Sequence, residues 1–279
     1  MSARFIALLL LAGSRLAAAD LIWSDEFNQP TGSGPDPTKW TYALGAGGWG
    51  NNELETYTAS RENSFVVADP AATDGRALVL RALKASDGGY TSARINTQGK
   101  FAVQYGRIEA RLKSSNGQGL WPAFWMLGDN VRSVGWPECG EIDVMEIVGA
   151  HPVLAHGTLH GPGYSGTGGI GRSHSLTGGA TYDAAYHVFA VDWQPNTIVW
   201  SVDGVAYHTV TPATLPAGAR WVFNDHPFFL LLNLAVGGGW PGNPDATTHF
   251  PQTLTIDYVR VYRAAEPTGA NGDNPDARR

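Results

Sequence analysis

Three carboxylates fall within six residues in Glu141-Ile142-Asp143-Val144-Met145-Glu146, inside an otherwise apolar run that reads as a strand. Side chains on a strand alternate faces, so Glu141 and Asp143 share one face while Glu146 has the wrong parity. One extra residue, a bulge near Val144 or Met145, returns Glu146 to the face of Glu141. Like charges held close push one another's pKa values up, so such a row is costly unless it does chemistry. Two carboxyls about 5–5.5 Å apart suit glycoside hydrolysis with retention, one attacking the anomeric carbon and the other protonating the leaving oxygen. A third acid between them shares a proton or holds the nucleophile. The competing reading is a solvated strand face. Against it, no Lys or Arg is interleaved with the acids, and Ile142, Val144, Ile147 and Val148 mark a buried strand.

The elements that must position this row are strands. Arg107–Lys113 alternates polar and apolar cleanly. Asp203-Gly204 between two alternating runs, Thr197–Val202 and Val205–Val210, predicts a hairpin on a type I′ turn. Further strands are expected over Ala77–Leu83, Ser92–Phe101, Ala123–Leu127, Val188–Trp193, Phe228–Ala235 and Thr253–Arg263. Many short strands separated by Gly, Pro, Asn and Asp clusters predict an all-β sandwich or barrel. There is no internal repeat.

The composition narrows the function. The chain has 279 residues, 10 of them Trp, with 16% charged and a net charge of −6. That balance argues against nucleic acid and anionic membrane, which need a basic footprint, and favours a neutral substrate. The N-terminus reads as a secretory leader over residues 1–19: Arg4, an apolar stretch from Phe5 to Ala12, and Ala17-Ala18-Ala19 as a cleavage site. The apolar stretch is too short to span a bilayer. A single catalytic domain is expected over 20–265, and the polar segment 266–279 reads as a disordered tail. Cys139 stands alone, so no intrachain disulfide forms. It reads as a small buried side chain beside the acids, since thiol catalysis needs a partner base that no local motif supplies.

Trp121 and Trp125 are four apart in Trp121-Pro122-Ala123-Phe124-Trp125, hence on one strand face. Indole rings stacked beneath pyranose rings would hold a neutral sugar chain; core filling is the alternative for any one of them. His156 and His160 also share a face. A zinc pair lacks a third ligand at a recognisable spacing, so a histidine hydrogen-bonded to substrate or nucleophile is the better reading. The Gly-rich segments 45–50, 161–171 and 237–242 lack the setting of a phosphate loop and read as cleft-edge loops. No Gly-x-Ser-x-Gly elbow supports a serine nucleophile.

The acid row resembles the E-x-D-x-x-E signature of glycoside hydrolase family 16 in the bulged form of laminarinase-like endo-β-1,3-glucanases. Asp25-Glu26-Phe27, Asn51-Asn52-Glu53-Leu54, Ser92-Ala93-Arg94-Ile95, Leu120–Leu127, His156–Gly161 and Asp257–Tyr262 look like the same family, in its order, over about residues 20–263. The resemblance implies a β-jelly-roll of two curved antiparallel sheets with a concave substrate cleft. It implies Glu141 as nucleophile, Glu146 as acid/base and Asp143 as the residue assisting the nucleophile. Asn52, Arg94, Trp121, Trp125 and His160 match substrate-binding positions, and Trp240 is a further candidate. No cofactor is implied for the chemistry. A structural calcium is implied on the convex side, held by Glu26, a backbone carbonyl near Gly75 and Asp257. The expected partner is a β-glucan polysaccharide substrate, bound by a monomer, with no nucleic acid and, after leader removal, no membrane.

Relatives often carry Gln-Tyr where this chain has Glu55-Thr56, which would place an extra negative charge near the cleft. The loop 161–179 is expected to shape one cleft end. A broader β-1,3(4)-glucanase, a non-catalytic β-glucan recognition protein, and a hydrolase of agarose or carrageenan remain open at this point.

Overall fold

The computed structural model describes residues 20–263. In chain order its strands are β1 (Leu21–Asp25), β2 (Thr41–Tyr42), β3 (Glu55–Tyr57), β4 (Ser64–Ala68), β5 (Arg76–Lys84), β6 (Tyr90–Ser92), β7 (Arg94–Asn96), β8 (Gly106–Lys113) and β9 (Leu120–Gly128). They continue as β10 (Glu141–Glu146), β11 (Leu154–His160), β12 (Ile170–Ser175), β13 (His187–Gln194), β14 (Thr197–Val202), β15 (Val205–Val210), β16 (Phe228–Val236) and β17 (Gln252–Tyr262). The expected leader and tail lie outside the described residues.

Two sheets form. One runs β12-β11-β10-β9-β16-β7-β2; the other runs β15-β14-β13-β8-β17-β5-β6-β3, with β1 joined to β17 and β4 to β5. All pairings are antiparallel except β3 with β6. Period-2 alternation explains the layering. On β9, Leu120, Phe124 and Met126 are fully buried between the sheets, while Trp121 and Trp125 face outward and are half-buried. The second sheet supplies Leu78, Leu80, Ile108, Leu112, Val191, Trp193 and Val259 to the same core. Antiparallel strands with one buried face pack this way because each has an apolar side to remove from water. The all-β sandwich expectation holds, and the fold is that of a jelly-roll.

The hairpin expectation also holds. Asp203 and Gly204 both adopt positive φ, 49° and 80°, as a type I′ turn demands. One expected strand is not continuous. Ser92–Phe101 divides, because the chain leaves one sheet after Ser92 and joins the other at Arg94, then turns at Thr97. Ser92 Oγ donates to the Leu234 carbonyl at 2.6 Å and stitches the crossing in place. This switch of sheets delivers Arg94 to the outer face of the seven-stranded sheet.

Candidate active site

The acid row lies on that face, and the expected bulge is present. Asp143 pairs with Trp125 on β9 and with Thr158 on β11, but beyond it the register shifts by one. Val144 and Met145 both turn into the core, and Glu146 comes back to the side of Glu141 and Asp143. A bulge leaves a backbone group without its ladder partner. Here Trp200, fully buried on β14 of the opposite sheet, donates its Nε1 hydrogen to the Asp143 carbonyl at 2.7 Å. Gly157, opposite the bulge, makes room: a Cβ there would lie 2.4 Å from Trp200 Cδ1.

The row sits in a cleft of about 1110 Å³. Asn52, Arg94, Trp121, Trp125, His160 and Trp240 all line it with Glu141, Asp143 and Glu146. Each predicted catalytic and substrate-binding residue is therefore brought to one surface. Trp121 Nε1 donates to Glu146 Oε1 at 3.0 Å. Trp240, 45% exposed, meets Trp121 edge-on with centroids 5.4 Å apart, a free aromatic face at the cleft wall. His160 Nε2 lies 3.2 Å from Asp143 Oδ2 and 3.9 Å from Glu141 Oε1. Gly169 of the loop after β11 closes over the His160 ring, where a Cβ would be 2.3 Å from Cε1. That loop does shape the cleft, through Gly166, Thr167 and Gly169, with Gly171 of β12 beside them.

Burial dominates the electrostatics. It pushes the Glu141 carboxyl up to about 8 with help from Asp143, while His160, Arg94 and Trp136 pull the other way. Burial likewise raises Asp143 to about 8. Glu146 is held well above the usual range by burial, then by Asp143 and Glu141. Three buried acids this close do not all ionise at neutral pH. Glu146 is crowded by both other acids, while His160 and the Trp121 indole hydrogen pull its carboxyl the other way. His160 and Arg94 both draw the Glu141 carboxyl back toward ionisation.

Four further cleft residues escaped sequence reasoning. Trp49 and Trp125 sandwich the Arg94 guanidinium, each ring centroid 4.8 Å away. Trp136, 47% exposed, stands beside His160. Thr158 lines the floor between the histidines. Asn233 accepts from Trp125 Nε1 at 2.8 Å; a lone amide within the apolar run Phe228–Val236 was the available signal. The expected danger from Glu55 does not arise at the surface. Glu55 is 1% exposed and accepts the Val236 amide, so it faces the interior behind the cleft wall; Glu53 lines the cleft instead. Cys139 is fully buried, its thiol pushed up to about 11 by burial, which suits the inert role expected of it.

The histidines do not form a metal pair. His160 faces Asp143, whereas His156 meets the Trp240 ring at 5.0 Å and Ser173 Oγ at 3.1 Å. Among the described residues, the donors that gather closely enough for a metal are Glu141, Asp143 and His160, within 4.8 Å of one another. The expected calcium ligands are engaged elsewhere. Arg260 clamps both Glu26 oxygens at 3.0 and 2.8 Å. Asp257 accepts from Thr73 N and Oγ1 and pairs with Arg111. The Gly75 carbonyl accepts the Asp69 amide at 3.0 Å. Both carboxylates are already neutralised by guanidinium groups, so this donor set as folded does not fit the calcium that was expected.

A row of three crowded carboxyls, on the aromatic-walled face of a β-sandwich, defines a glycoside hydrolase. Residues 55–260 match the model of "Glycosyl hydrolases family 16". A β-glucanase from Rhodothermus marinus is 42% identical over 88% of this chain and 86% of its own. The laminarinase catalytic domain from Thermotoga maritima superposes with a TM-score of 0.80 at 46% identity, over 89% of this chain and 99% of that one. A non-specific endo-β-1,3(4)-glucanase of the family superposes at 0.73 with 36% identity, over 88% and 91%. The chain belongs to glycoside hydrolase family 16.

Proposed function

We propose that the protein is an endo-acting hydrolase of β-1,3-glucans such as laminarin, working by double displacement with retention. The observation that carries this is the bulge, which sets Glu146 beside Glu141 and Asp143 on the cleft face. Glu146 gives its proton to the glycosidic oxygen as that C–O bond breaks. Glu141 attacks the anomeric carbon and forms a glycosyl ester. Water then attacks, Glu146 takes its proton, and Glu141 leaves as carboxylate. Asp143, between Glu141 and His160, steadies the Glu141 carboxyl before its attack and again as it leaves as carboxylate. The indoles of Trp121, Trp125 and Trp240 supply apolar faces for the sugar rings.

A broader β-1,3(4)-glucanase is the second reading, favoured by the likeness to a non-specific relative of that activity. The leader pattern over residues 1–19 supports work outside the cytoplasm by a single exported chain. The described residues contain no helix long and apolar enough to cross a membrane.

Reducing-sugar release on laminarin, lichenan and agarose, with Glu141→Ala as blank, tests the proposal. Release from laminarin that the variant lacks supports it, and the lichenan-to-laminarin ratio separates the two readings. Binding of laminarin without release from any polymer would move the weight to a recognition protein.

A further inference from the structure

We propose that Glu55 and Glu53 share one proton, held on Glu55, and that this proton positions the Trp125 side of the cleft for substrate. Glu55 is a positioning residue in this role, not a catalytic one. Its Oε2 accepts the Val236 amide at 2.6 Å, while its Oε1 is buried with no partner. An ionised carboxylate there would leave an acceptor facing nothing, beside a second carboxylate. A protonated one has a hydrogen to give.

The recipient is Glu53, 8% exposed at the cleft: Glu53, Glu55 and Tyr57 alternate with the exposed Leu54 and Thr56, so the three side chains share one side of the extended chain with Glu55 in the middle. Asn51 Nδ2 and Tyr57 Oη each donate to it at 3.0 Å. Tyr57 Oη in turn accepts from Asn233 Nδ2 at 3.2 Å, and Asn233 Oδ1 accepts from Trp125 Nε1 at 2.8 Å. A continuous chain thus runs from a buried acid to an indole in the cleft floor. Other charged and titratable groups around it are few. Arg94 on β7 faces Tyr57, and Tyr90 on β6 pairs alongside Glu55 with Lys84 over its ring. β16 adds none.

Burial and then Glu53 push the Glu55 carboxyl up to about 8. At neutral pH the shared proton stays. Above about 8 it leaves, and two like charges in a dry pocket repel. Repulsion displaces the Glu53 carboxylate, the bonds it accepts from Asn51 and Tyr57 lengthen, and the floor under Trp125 loosens. Substrate binding weakens by a route separate from the acid row.

The test is KM and kcat on laminarin from pH 6 to 9.5, for the wild type and Glu55→Gln, with melting curves over pH 5 to 9. Gln keeps a donor toward Glu53 at every pH. The wild-type KM should rise ~5-fold or more above pH 8, and Glu55→Gln should abolish that rise while keeping the alkaline fall in kcat that the catalytic acids impose. The variant should melt with the wild type at pH 5 and above it at pH 9, because a raised acid pKa loses stability as pH rises toward it. A flat wild-type KM, a rise that survives in the variant, a melting gap that does not widen, or a variant that fails to fold would each overturn the proposal. The kinetic arm rests on the hydrolase reading. The melting arm does not, so absence of turnover at every pH would sink that reading and leave this one to be judged by melting.

Discussion

Trp200 donates its indole hydrogen to the carbonyl of Asp143, at 2.7 Å, from the sheet that does not carry the active site. The bond falls where the bulge interrupts the ladder, so one side chain of the second sheet satisfies the backbone that the catalytic geometry leaves open. Trp200→Phe keeps the packing and removes the donor. A buried carbonyl left unpaired costs about 1–3 kcal/mol, which should appear as a drop in melting temperature. A misplaced acid costs more in rate than in binding. We expect kcat on laminarin to fall roughly 10- to 100-fold with KM nearly constant. Unchanged kcat would mean the bulge holds itself.

Glu146→Gln removes the proton donor without changing shape. General acid catalysis contributes about 10²–10⁴-fold, so kcat should fall by that much while a β-1,3-glucan oligosaccharide still binds within about threefold of wild type by calorimetry. Equal loss of binding and rate would deny Glu146 the role of acid/base. Because Trp121 also donates to Glu146, Trp121→Phe tests the same carboxyl from outside; its loss should raise the affinity of Glu146 for its proton and move the alkaline limb upward.

Much of this site was legible because strand parity is simple. Alternation placed Trp121 with Trp125, and His156 with His160, on one face. The parity of Glu146 called for a bulge, and the register shift after Asp143 supplies it. What was not legible came from outside the local pattern. Trp49 and Trp136 sit on Gly-rich and Pro-containing loops whose paths period-2 reasoning cannot trace. The division of Ser92–Phe101 follows from a tertiary hydrogen bond, Ser92 to the Leu234 carbonyl, 142 residues away. Glu55 was misjudged because its position on a short strand says nothing of which side the second sheet covers. The expected calcium set looked sound by residue type, but residue type does not reveal that Arg260 and Arg111 reach the same carboxylates.

Arg94 lies between two indoles with its Nε buried and unpartnered. A planar guanidinium fits that slot and a lysine ammonium does not. Cation–π contacts of this kind are worth about 0.5–2 kcal/mol, so Arg94→Lys should raise KM about 3- to 30-fold. Arg94 also draws the Glu141 carboxyl downward. A neutral replacement, Arg94→Gln, should therefore move the acid limb of kcat/KM to higher pH, a readout that loss of packing alone would leave in place.

The acid row should make activity and stability pull apart with pH. Activity needs Glu146 protonated and one charge on Glu141 with Asp143, so kcat/KM should be bell-shaped, both limbs belonging to the set of acids. Stability has a different sign. Glu141 and Asp143 hold their protons up to about 8 in the folded chain, whereas unfolded carboxyls release theirs near 4. The folded state therefore binds extra protons between those values. Its stability is fully present below about 4 and is lost as pH rises toward about 8. Glu141→Gln removes one of the crowded acids. It should abolish turnover and yet melt several degrees above the wild type at pH 8, with the gap shrinking toward pH 4 as both chains carry neutral groups. Melting curves over that range decide the matter. A variant less stable than wild type at pH 8 would show that the row is held by favourable pairing with His160 and Arg94, not strained by its own charge.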